Sequence, residues 1–271
     1  SWSTFRLTTD LSRIKDPKGE DAESRPLSIS FDNRYFVYVK YAYLEMKEPW
    51  LDGKFTLGQQ GLPWAGHVEH AWGYRWVSKV LTDLHHLQTT TDLGVSYKGK
   101  VGKYVEYHLA VVNGPGYKEP ENNTFKNPMG RLTLKPVKGL EISGFGSYDV
   151  RTYDQPEGNA WTAAALIAYK HDDWGNVGVE YARGRDRKHL NLGWGVSGFA
   201  IAKPWKKSRV VLRYDMFDAD SDSSTDNSSL IIAGLGWDFN KHLKTLVNVQ
   251  VDTEDADNSA TTAVWNWLAK F

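Results

Sequence analysis

Cysteine is absent from the 271 residues of this sequence, so neither a disulfide framework nor a thiolate metal site can form. A charge excess is also missing, because 33 basic residues balance 33 acidic ones, whereas a dedicated nucleic-acid-binding protein is normally basic. The best apolar run, 160–169, has ten residues, and a membrane-spanning helix needs about 18 or more. No secretory signal sequence opens the chain, which predicts a mature or trimmed form if the protein is exported.

Aromatic residues, in contrast, are abundant. They make up 13% of the chain and include 12 Trp and 14 Tyr, yet the mean hydropathy is negative. A water-soluble protein usually buries its aromatic side chains in a core. A transmembrane β-barrel instead places Trp and Tyr at the two membrane interfaces and fills its interior with polar groups. The composition is therefore typical of a transmembrane barrel.

Apolar and polar residues alternate along most of the chain, which is the pattern of β-strands, and helical periodicity is almost absent. Most of the predicted strands have about 9–13 residues, the length that a tilted strand needs to cross a bilayer. Fourteen strands are predicted, at 2–10, 34–47, 52–60, 89–98, 102–113, 129–136, 139–150, 160–171, 175–185, 190–202, 207–218, 228–239, 242–253 and 261–271. The predicted fold is an all-β, antiparallel up-and-down transmembrane β-barrel that forms one domain over residues 1–271.

The predicted connections alternate between long and short. Short periplasmic turns and longer external loops are typical of outer-membrane barrels, and an even number of strands places both termini on the periplasmic side. The long connections are predicted at 11–33, 61–88, 114–128, 151–159, 186–189, 219–227 and 254–260.

The polar face of each strand is expected to line water, because a barrel of fourteen strands is too wide for side chains to fill. A soluble β-sandwich with its apolar faces inside is the alternative. Fifteen ionisable residues are predicted to lie on the lumen wall, with seven cationic and seven anionic side chains and one histidine. They include Arg6, Lys54, Glu106, His108, Arg131, Arg209, Arg213 and Asp215. Selective pores use rings of one charge sign, so this mixed wall predicts weak selectivity.

The connection 61–88 is the strongest candidate for a constriction. A connection of this length is uncommon unless it is functional, and its four aromatic residues are expected to pack against the inner wall instead of facing water. A cap on the external rim is the alternative. In the inward arrangement, Arg75 and Lys79 are the predicted anion contacts, and Glu69 and Asp83 are the predicted cation contacts.

The C-terminal segment ends in an apolar face that carries Trp265, Trp267 and Phe271. This pattern resembles the C-terminal signal by which bacterial outer-membrane barrels are recognised for assembly. The three aromatic residues are therefore predicted to be an assembly signal.

Two further stretches resemble a known family. YVKYAYLEM at 38–46 followed by FTLGQQGLPW at 55–64, together with YHLAVVNG at 107–114, is similar to the phosphate-selective porin O and P family. The resemblance implies a porin whose long connection folds into the channel. Members of that family are similar to sixteen-stranded barrels, so the resemblance implies either a barrel closed by fourteen strands or a missing N-terminal hairpin. The chain has no dense ladder of lumen Arg and Lys, so it resembles a porin more than a phosphate channel.

Other chemistry has weak support in the sequence. His67, Glu69 and His70 suit a divalent metal by residue type, but their spacing matches no strong motif. The acidic run 218–222 starts like a calcium loop, but Ser223 stands where the glycine is required. No nucleophile with a partnered base is apparent, so the sequence predicts neither an enzyme nor a cofactor.

The sequence thus predicts a bacterial outer-membrane porin, integral to that membrane, for passive diffusion of ions and small polar solutes. A non-conducting structural or docking barrel is the alternative. Outer-membrane lipid and lipopolysaccharide are the expected contacts of its outer face. Nucleic acid is not an expected partner, and association into a homotrimer is left open.

Overall fold

In the computed structural model, the described residues form fourteen strands and two short helices. The structure describes residues 2–13, 35–48, 52–118, 121, 123–150, 158–185, 191–223, 226–254 and 258–270. The strands are β1 Ser3–Arg13, β2 Tyr35–Glu48, β3 Gly53–Gly61, β4 Thr91–Val101, β5 Val105–Val112, β6 Asn127–Leu134, β7 Leu140–Asp149, β8 Ala160–His171, β9 Gly175–Arg185, β10 Leu192–Ala202, β11 Ser208–Asp218, β12 Asn227–Asp238, β13 Leu243–Glu254 and β14 Asn258–Ala269. The helices are α1 Ala65–Trp72 and α2 Leu81–Leu84. None of the helices in the described part of the chain is both long and apolar enough to cross a membrane.

Each strand pairs antiparallel with the strands that precede and follow it in the sequence, in one sheet ordered β1 to β14. The prediction of fourteen strands in an all-β, up-and-down transmembrane barrel is confirmed. The register across the sheet decides which side chains become neighbours. Glu180 on β9 faces Ser197 on β10, and Ser197 faces Asp215 on β11. Three polar side chains from three strands therefore form one row on the same face.

The connections differ in length at the two ends of the strands. At one end lie the short turns 102–104, 135–139, 172–174, 203–207 and 239–242, and at the other lie longer connections, of which 62–90 is fully described. The prediction of a long connection over 254–260 is wrong, because β13 continues to Glu254 and β14 begins at Asn258. Residues predicted as loop instead pair across the two strands, Asn258 with Glu254 and Ser259 with Thr253.

The two faces of the sheet differ in chemistry and in exposure. On β11, Val211, Arg213 and Asp215 are buried, while Leu212 and Tyr214 between them are 51% and 52% exposed. On β8, Leu166 is buried and its neighbour Ile167 is 56% exposed. Successive side chains of a strand point to opposite faces, so the exposed apolar side chains form the outer, lipid-facing surface.

Exposed tryptophans mark the end of the barrel that carries the short turns. Trp174 and Trp205 lie in two of these turns and are 73% and 72% exposed. On β14, Trp265 and Trp267 point outward with ring centroids 5.3 Å apart, and Trp267 stacks on Phe239. Exposed aromatic side chains at the end of a membrane barrel are typical of its interfacial girdle. Phe271, the third residue of the predicted assembly signal, lies outside the described residues.

Candidate functional site

Residues 62–90, here called the β3–β4 segment, pack against the inner face of the sheet. Trp64, Trp72, Leu81 and Leu87 of this segment are at most 1% exposed. The Trp64 ring stacks on Phe145 with centroids 5.4 Å apart. The Trp72 ring lies 5.4 Å from Phe199, tilted by 60°. The apolar side chains of the sheet that join this cluster are Phe145, Ala164, Leu166, Ala168, Ala182, Phe199, Ile201, Val211, Phe217 and Leu246. The inner face therefore carries a large apolar cluster where the segment packs against it.

Helix α1 ends where the backbone turns away from the sheet. Gly73 adopts a left-handed conformation with φ 76°, and its N–H donates to the Glu69 carbonyl. This is the usual glycine stop of a helix, because glycine adopts positive φ without steric cost. The turn places Tyr74 beside Trp72 and directs the following residues, including Arg75, back along the helix.

Glu180 on β9 anchors two parts of the segment at once. Its Oε1 accepts a hydrogen bond from Trp64 Nε1 at 2.8 Å and another from Thr82 Oγ1 at 3.1 Å. The Glu180 side chain is buried, with 1% exposure of the residue. A buried carboxylate is costly unless it accepts hydrogen bonds, so the positions of α1 and α2 are coupled through this residue.

Arg213 and Asp215 on β11 form a second anchor. Arg213 Nε and Nη2 donate to the two carboxylate oxygens of Asp215 at 2.8 and 2.5 Å, and both side chains are 1% exposed. Arg213 Nη1 donates to the Lys79 carbonyl at 2.7 Å, and its guanidinium lies 5.1 Å from the Trp72 ring centroid. Ser197 Oγ donates to Asp215 at 2.5 Å. These bonds compensate much of the cost of burying two charges.

Four further hydrogen bonds attach the segment to β7, β8 and β9. Thr162 Oγ1 donates to the Leu87 carbonyl, Gln88 Nε2 donates to Ser147 Oγ, and the Asn176 amide donates to the Ala71 carbonyl. The ring of His67 and Ser143 Oγ share a hydrogen bond of 2.8 Å. Burial and the charge of Arg131 lower the pKa of His67 to about 3, so this imidazole is neutral at ordinary pH.

The four predicted constriction residues come together in one ion-paired cluster. Arg75 Nε lies 2.5 Å from Glu69 Oε1, and Arg75 Nη2 lies 3.3 Å from Asp83 Oδ2. Lys79 Nζ lies 3.6 Å from Asp83 Oδ1. The side chains of Arg75 and Lys79 are 41% and 42% exposed. Burial raises the pKa of Glu69, while the neighbouring Arg75 acts in the opposite direction.

A second group of ionisable side chains lies on β2 to β6 and in the turn after β6. Glu45 pairs with Lys54 at 2.6 Å and with Lys98 at 2.7 Å. Glu106 pairs with Lys100 at 3.0 Å and with Lys135 at 2.8 Å. Two predicted wall residues, His108 and Arg131, are direct partners in the register of β5 and β6. We call these residues the basic wall, because six cationic side chains or imidazoles surround two carboxylates: Lys54, Lys98, Lys100, His108, Arg131 and Lys135.

The remaining predicted wall residues have different surroundings. The Arg6 guanidinium lies 4.3 Å from the Tyr41 ring centroid, and Arg209 pairs with Asp238 at 2.6 Å. Arg213 and Asp215 lie on the inner face, but the β3–β4 segment covers them. They therefore differ from the expectation of water-facing groups, because Trp72 and the backbone of Lys79 occupy the space above them.

Comparison with known structures relates the whole barrel to outer-membrane channels. No protein-family model matches the sequence, and no curated protein matches it. A solved structure of Salmonella typhi OmpF in complex with daunomycin has a TM-score of 0.66 at 13% identity, over 88% of this chain and 80% of that one. The chain has the fold of an outer-membrane porin.

Two other porin-fold structures are similar to this chain. The outer-membrane channel DcaP of Acinetobacter baumannii has a TM-score of 0.64 at 12% identity, over 88% of this chain and 76% of that chain. The anion-selective porin from Comamonas acidovorans has a TM-score of 0.60 at 10% identity, over 83% of this chain and 74% of that chain. At these identities the similarity establishes the porin fold alone.

Several charged residues of the porin fold were not predicted as site residues. Glu45, Lys98 and Asp238 complete the ion pairs described above. At the start of the chain, Asp10 accepts a hydrogen bond from Tyr117 Oη at 2.9 Å and lies 3.9 Å from Lys40. A register shift between Thr8 and Thr9 interrupts regular pairing of β1 with β2. Because of this shift, alternation along β2 does not by itself assign its side chains to the inner or the outer face of the sheet.

The metal hypothesis gains no support from the geometry. Within the described ranges, no group of three or more His, Asp or Glu side chains is arranged to hold a metal ion. His67 instead contacts Ser143, and Glu69 contacts Arg75. The acidic residues of 218–222 accept hydrogen bonds from protein groups. Asp218 accepts one from Trp194 Nε1, and Asp220 accepts one from the Asp222 N–H.

Proposed function

We propose that this protein is a porin of a bacterial outer membrane, through which ions and small polar solutes diffuse passively. The observation that carries the proposal is the attachment of the β3–β4 segment to one side of the inner face. Buried aromatic contacts and the Glu180 and Arg213 anchors hold it there. The segment narrows the lumen from that side, and the lysine side chains of the basic wall, 36–59% exposed, stay open to water.

The narrowest part of the channel lies beside the Glu69, Arg75, Lys79 and Asp83 cluster. This cluster contains two cations and two carboxylates, so its own net charge is zero. The basic wall carries five permanent cationic side chains against Glu45 and Glu106. Selectivity follows the charge that lines the path. The channel is therefore weakly anion-selective.

Single-channel recording of the refolded protein in a planar bilayer tests this proposal. Stable open steps are expected, and a KCl gradient is expected to give a reversal potential of the sign produced by chloride permeation. A folded barrel that never opens would refute the porin proposal and leave a structural or docking barrel. A reversal potential of the opposite sign would refute the anion preference only.

Arg75→Gln is expected to shift the preference toward cations, because Glu69 and Asp83 lose their shared guanidinium. One unit charge about 8 Å from a permeating ion in water changes the permeability ratio by about twofold. Arg75→Lys keeps the charge and serves as the matched control. An Arg75→Gln channel with the wild-type reversal potential would show that ions do not pass this cluster.

Acidification is expected to increase the anion preference. Burial raises the pKa of Glu69 above that of a solvated glutamate, so this carboxylate becomes neutral at a higher pH than a solvated one. The cluster then changes from neutral to a net positive charge as the pH falls through the raised pKa. Reversal potentials of the wild type and of Glu69→Gln, measured from neutral to acidic pH, isolate the contribution of Glu69 to the ion selectivity. An identical pH dependence of the reversal potential in the two proteins would reject this expectation.

We also propose that the barrels associate as homotrimers, in contact with outer-membrane lipid and lipopolysaccharide. The exposed apolar outer face supports association within a membrane. A solved OmpT structure from Vibrio cholerae, 14% identical to this chain with a TM-score of 0.54, is described as a trimer form. Native mass spectrometry of the folded protein in a mild detergent distinguishes a trimer from a monomer.

A further inference from the structure

An apolar groove lies on the outer face of β8 to β12. Its floor is formed by Gly198 and Ala200 on β10, and its volume is about 930 Å³. Ile167, Val179, Gly198, Tyr214 and Ile231 are successive partners across five strands, so one row of side chains crosses the groove. The large members of this row are 45–56% exposed. The groove therefore opens toward lipid and not toward the lumen.

The floor of the groove is low because β10 has small side chains between bulky neighbours. A Cβ placed on Gly198 meets no other atom within 4 Å. Ala200 lies between Val177 on β9 and Leu212 on β11. An acyl chain fits along this floor, because it contacts apolar side chains on both sides as well as beneath.

One end of the groove leads to a cationic turn. β10 ends at Ala202, and the turn 203–207 that follows carries Lys203, Lys206 and Lys207. Lys206 and Lys207 are exposed, and they form no ion pair with another described residue. The turn lies beside the turn 172–174, because the Lys203 ammonium donates to the Asp172 carbonyl at 2.7 Å.

The neighbouring turn adds one balanced ion pair and one further carboxylate. Asp172 pairs with Lys138 at 3.3 Å, and Asp173 is the second acidic residue of this turn. The four lysines at positions 138, 203, 206 and 207 therefore exceed the two carboxylates by two charges. The Tyr169 ring of the groove approaches His171, which stacks on Trp174 at 4.6 Å. The end of the groove thus combines positive charge with interfacial aromatic rings.

We infer that this groove is a binding site for an anionic diacyl phospholipid, such as a phosphatidylglycerol, from the periplasmic leaflet. The acyl chain lies over Gly198 and Ala200, and the phosphate lies beside Lys206 and Lys207. Short turns mark the periplasmic end of outer-membrane barrels, and clustered lysines at a membrane surface recognise anionic lipids. The inference rests on the proposed outer-membrane location but not on the proposed conductance.

The position of the charges favours a phospholipid over the two other occupants of an outer apolar face. Lipopolysaccharide occupies the opposite leaflet, away from the turn 203–207. In a twofold contact, a second copy would place the same positive turn against itself, and like charges repel. A threefold contact, as in the proposed homotrimer, would instead bring a different surface of the neighbour to the groove, and dissociation of that trimer by Gly198→Leu would assign the groove to it. Charge complementarity therefore selects an anionic headgroup at this end of the groove.

Native mass spectrometry of the delipidated full-length barrel in a nonionic detergent tests the inference. Dioleoylphosphatidylglycerol is titrated into the protein, with dioleoylphosphatidylcholine as the net-neutral comparison. One tightly held phosphatidylglycerol per barrel is expected, bound about tenfold more tightly than phosphatidylcholine. Lys206→Gln/Lys207→Gln is expected to lower the affinity for phosphatidylglycerol about tenfold, because each lysine near the membrane surface attracts the anionic headgroup.

A groove-filling variant and matched controls separate the site from general lipid contact. Gly198→Leu is expected to weaken the binding of both lipids, since the leucine side chain enters the groove. Lys103→Gln/Lys241→Gln removes two exposed lysines from other short turns, and Gly144→Leu adds the same side chain at another open outer position. Both controls are expected to bind phosphatidylglycerol like the wild type.

The inference would be overturned if the Lys206→Gln/Lys207→Gln variant bound phosphatidylglycerol as tightly as its lysine control. It would also be overturned if the wild type bound phosphatidylglycerol and phosphatidylcholine with equal affinity. A barrel dimer that Gly198→Leu dissociates would assign the groove to a second copy and reject the lipid. Planar-bilayer recording of the same variants keeps the two proposals distinct. A silent barrel that retains phosphatidylglycerol would refute the channel alone, and an open channel without selective retention would refute the lipid site alone.

Discussion

Excision of residues 65–86, with a short Gly-Ser linker in their place, is expected to raise the single-channel conductance severalfold. The excised part contains α1, α2 and the charged cluster that narrows the proposed channel. Its removal leaves the inner face of β7 to β11 open to water, so the cross-section of the aqueous path increases. Weak ion selectivity is also expected to decrease, because permeating ions pass farther from any wall charge.

The excised barrel is expected to be less stable than the wild type as well, because Phe199 and Phe217 lose the rings of Trp72 and His85 that cover them. Trp64→Ala provides a matched smaller change. It removes one stacking contact and one bond to Glu180 while the segment stays in the chain, so intermittent conductance increases are expected instead of a permanent one. Unchanged conductance in a folded excision variant would show that the segment does not obstruct the ion path.

Arg213→Met is expected to lower the free energy of unfolding by about 3–5 kcal/mol, the usual cost of leaving one member of a buried ion pair without its partner. Asp215 would keep only the bond from Ser197 among its described side-chain donors. The Lys79 carbonyl and the Trp72 ring would also lose their contact with the guanidinium. Urea unfolding in detergent micelles, followed by tryptophan fluorescence, measures the change.

The double variant Arg213→Met/Asp215→Leu is the decisive control. Apolar replacement of a whole buried ion pair is often neutral or stabilising, so most of the lost stability is expected to return. Arg209→Met on the same strand removes a more exposed pair with Asp238, and a smaller loss is expected. If the double variant were as unstable as Arg213→Met, the contacts with the β3–β4 segment, and not the unpaired charge, would account for the loss.

Strand positions were predictable wherever alternation ended at a clear turn signal. β8 and β9 were predicted to the residue, because Asp172, Asp173 and Trp174 interrupt two regular alternating runs. The β13–β14 connection was predicted too long, since the polar residues of 254–260 give no such signal. Strand ends elsewhere differ from the prediction by up to three residues, as at β1, β4 and β5, because a strand end is set by pairing with its neighbour as much as by its own residues.

The candidate site was predictable in its membership but not in its pairing. A long connection rich in aromatic and charged residues identified Glu69, Arg75, Lys79 and Asp83. It could not show that Arg75 joins two of the carboxylates, because the turn at Gly73 brings them together. Glu45 and Asp238 gave no separate signal, since their partners come from other strands.

The all-β architecture, the number of strands and the apolar outer face follow from the amino-acid sequence, because these depend on a period of two residues that is local to each strand. The set of polar residues that meet depends instead on the folding of the whole chain. Glu180, Ser197 and Asp215 become neighbours through the register of three strands, and Arg213 becomes buried because a segment more than a hundred residues earlier in the chain lies over it. Such contacts depend on distances in space, and alternation along one strand carries no information about them.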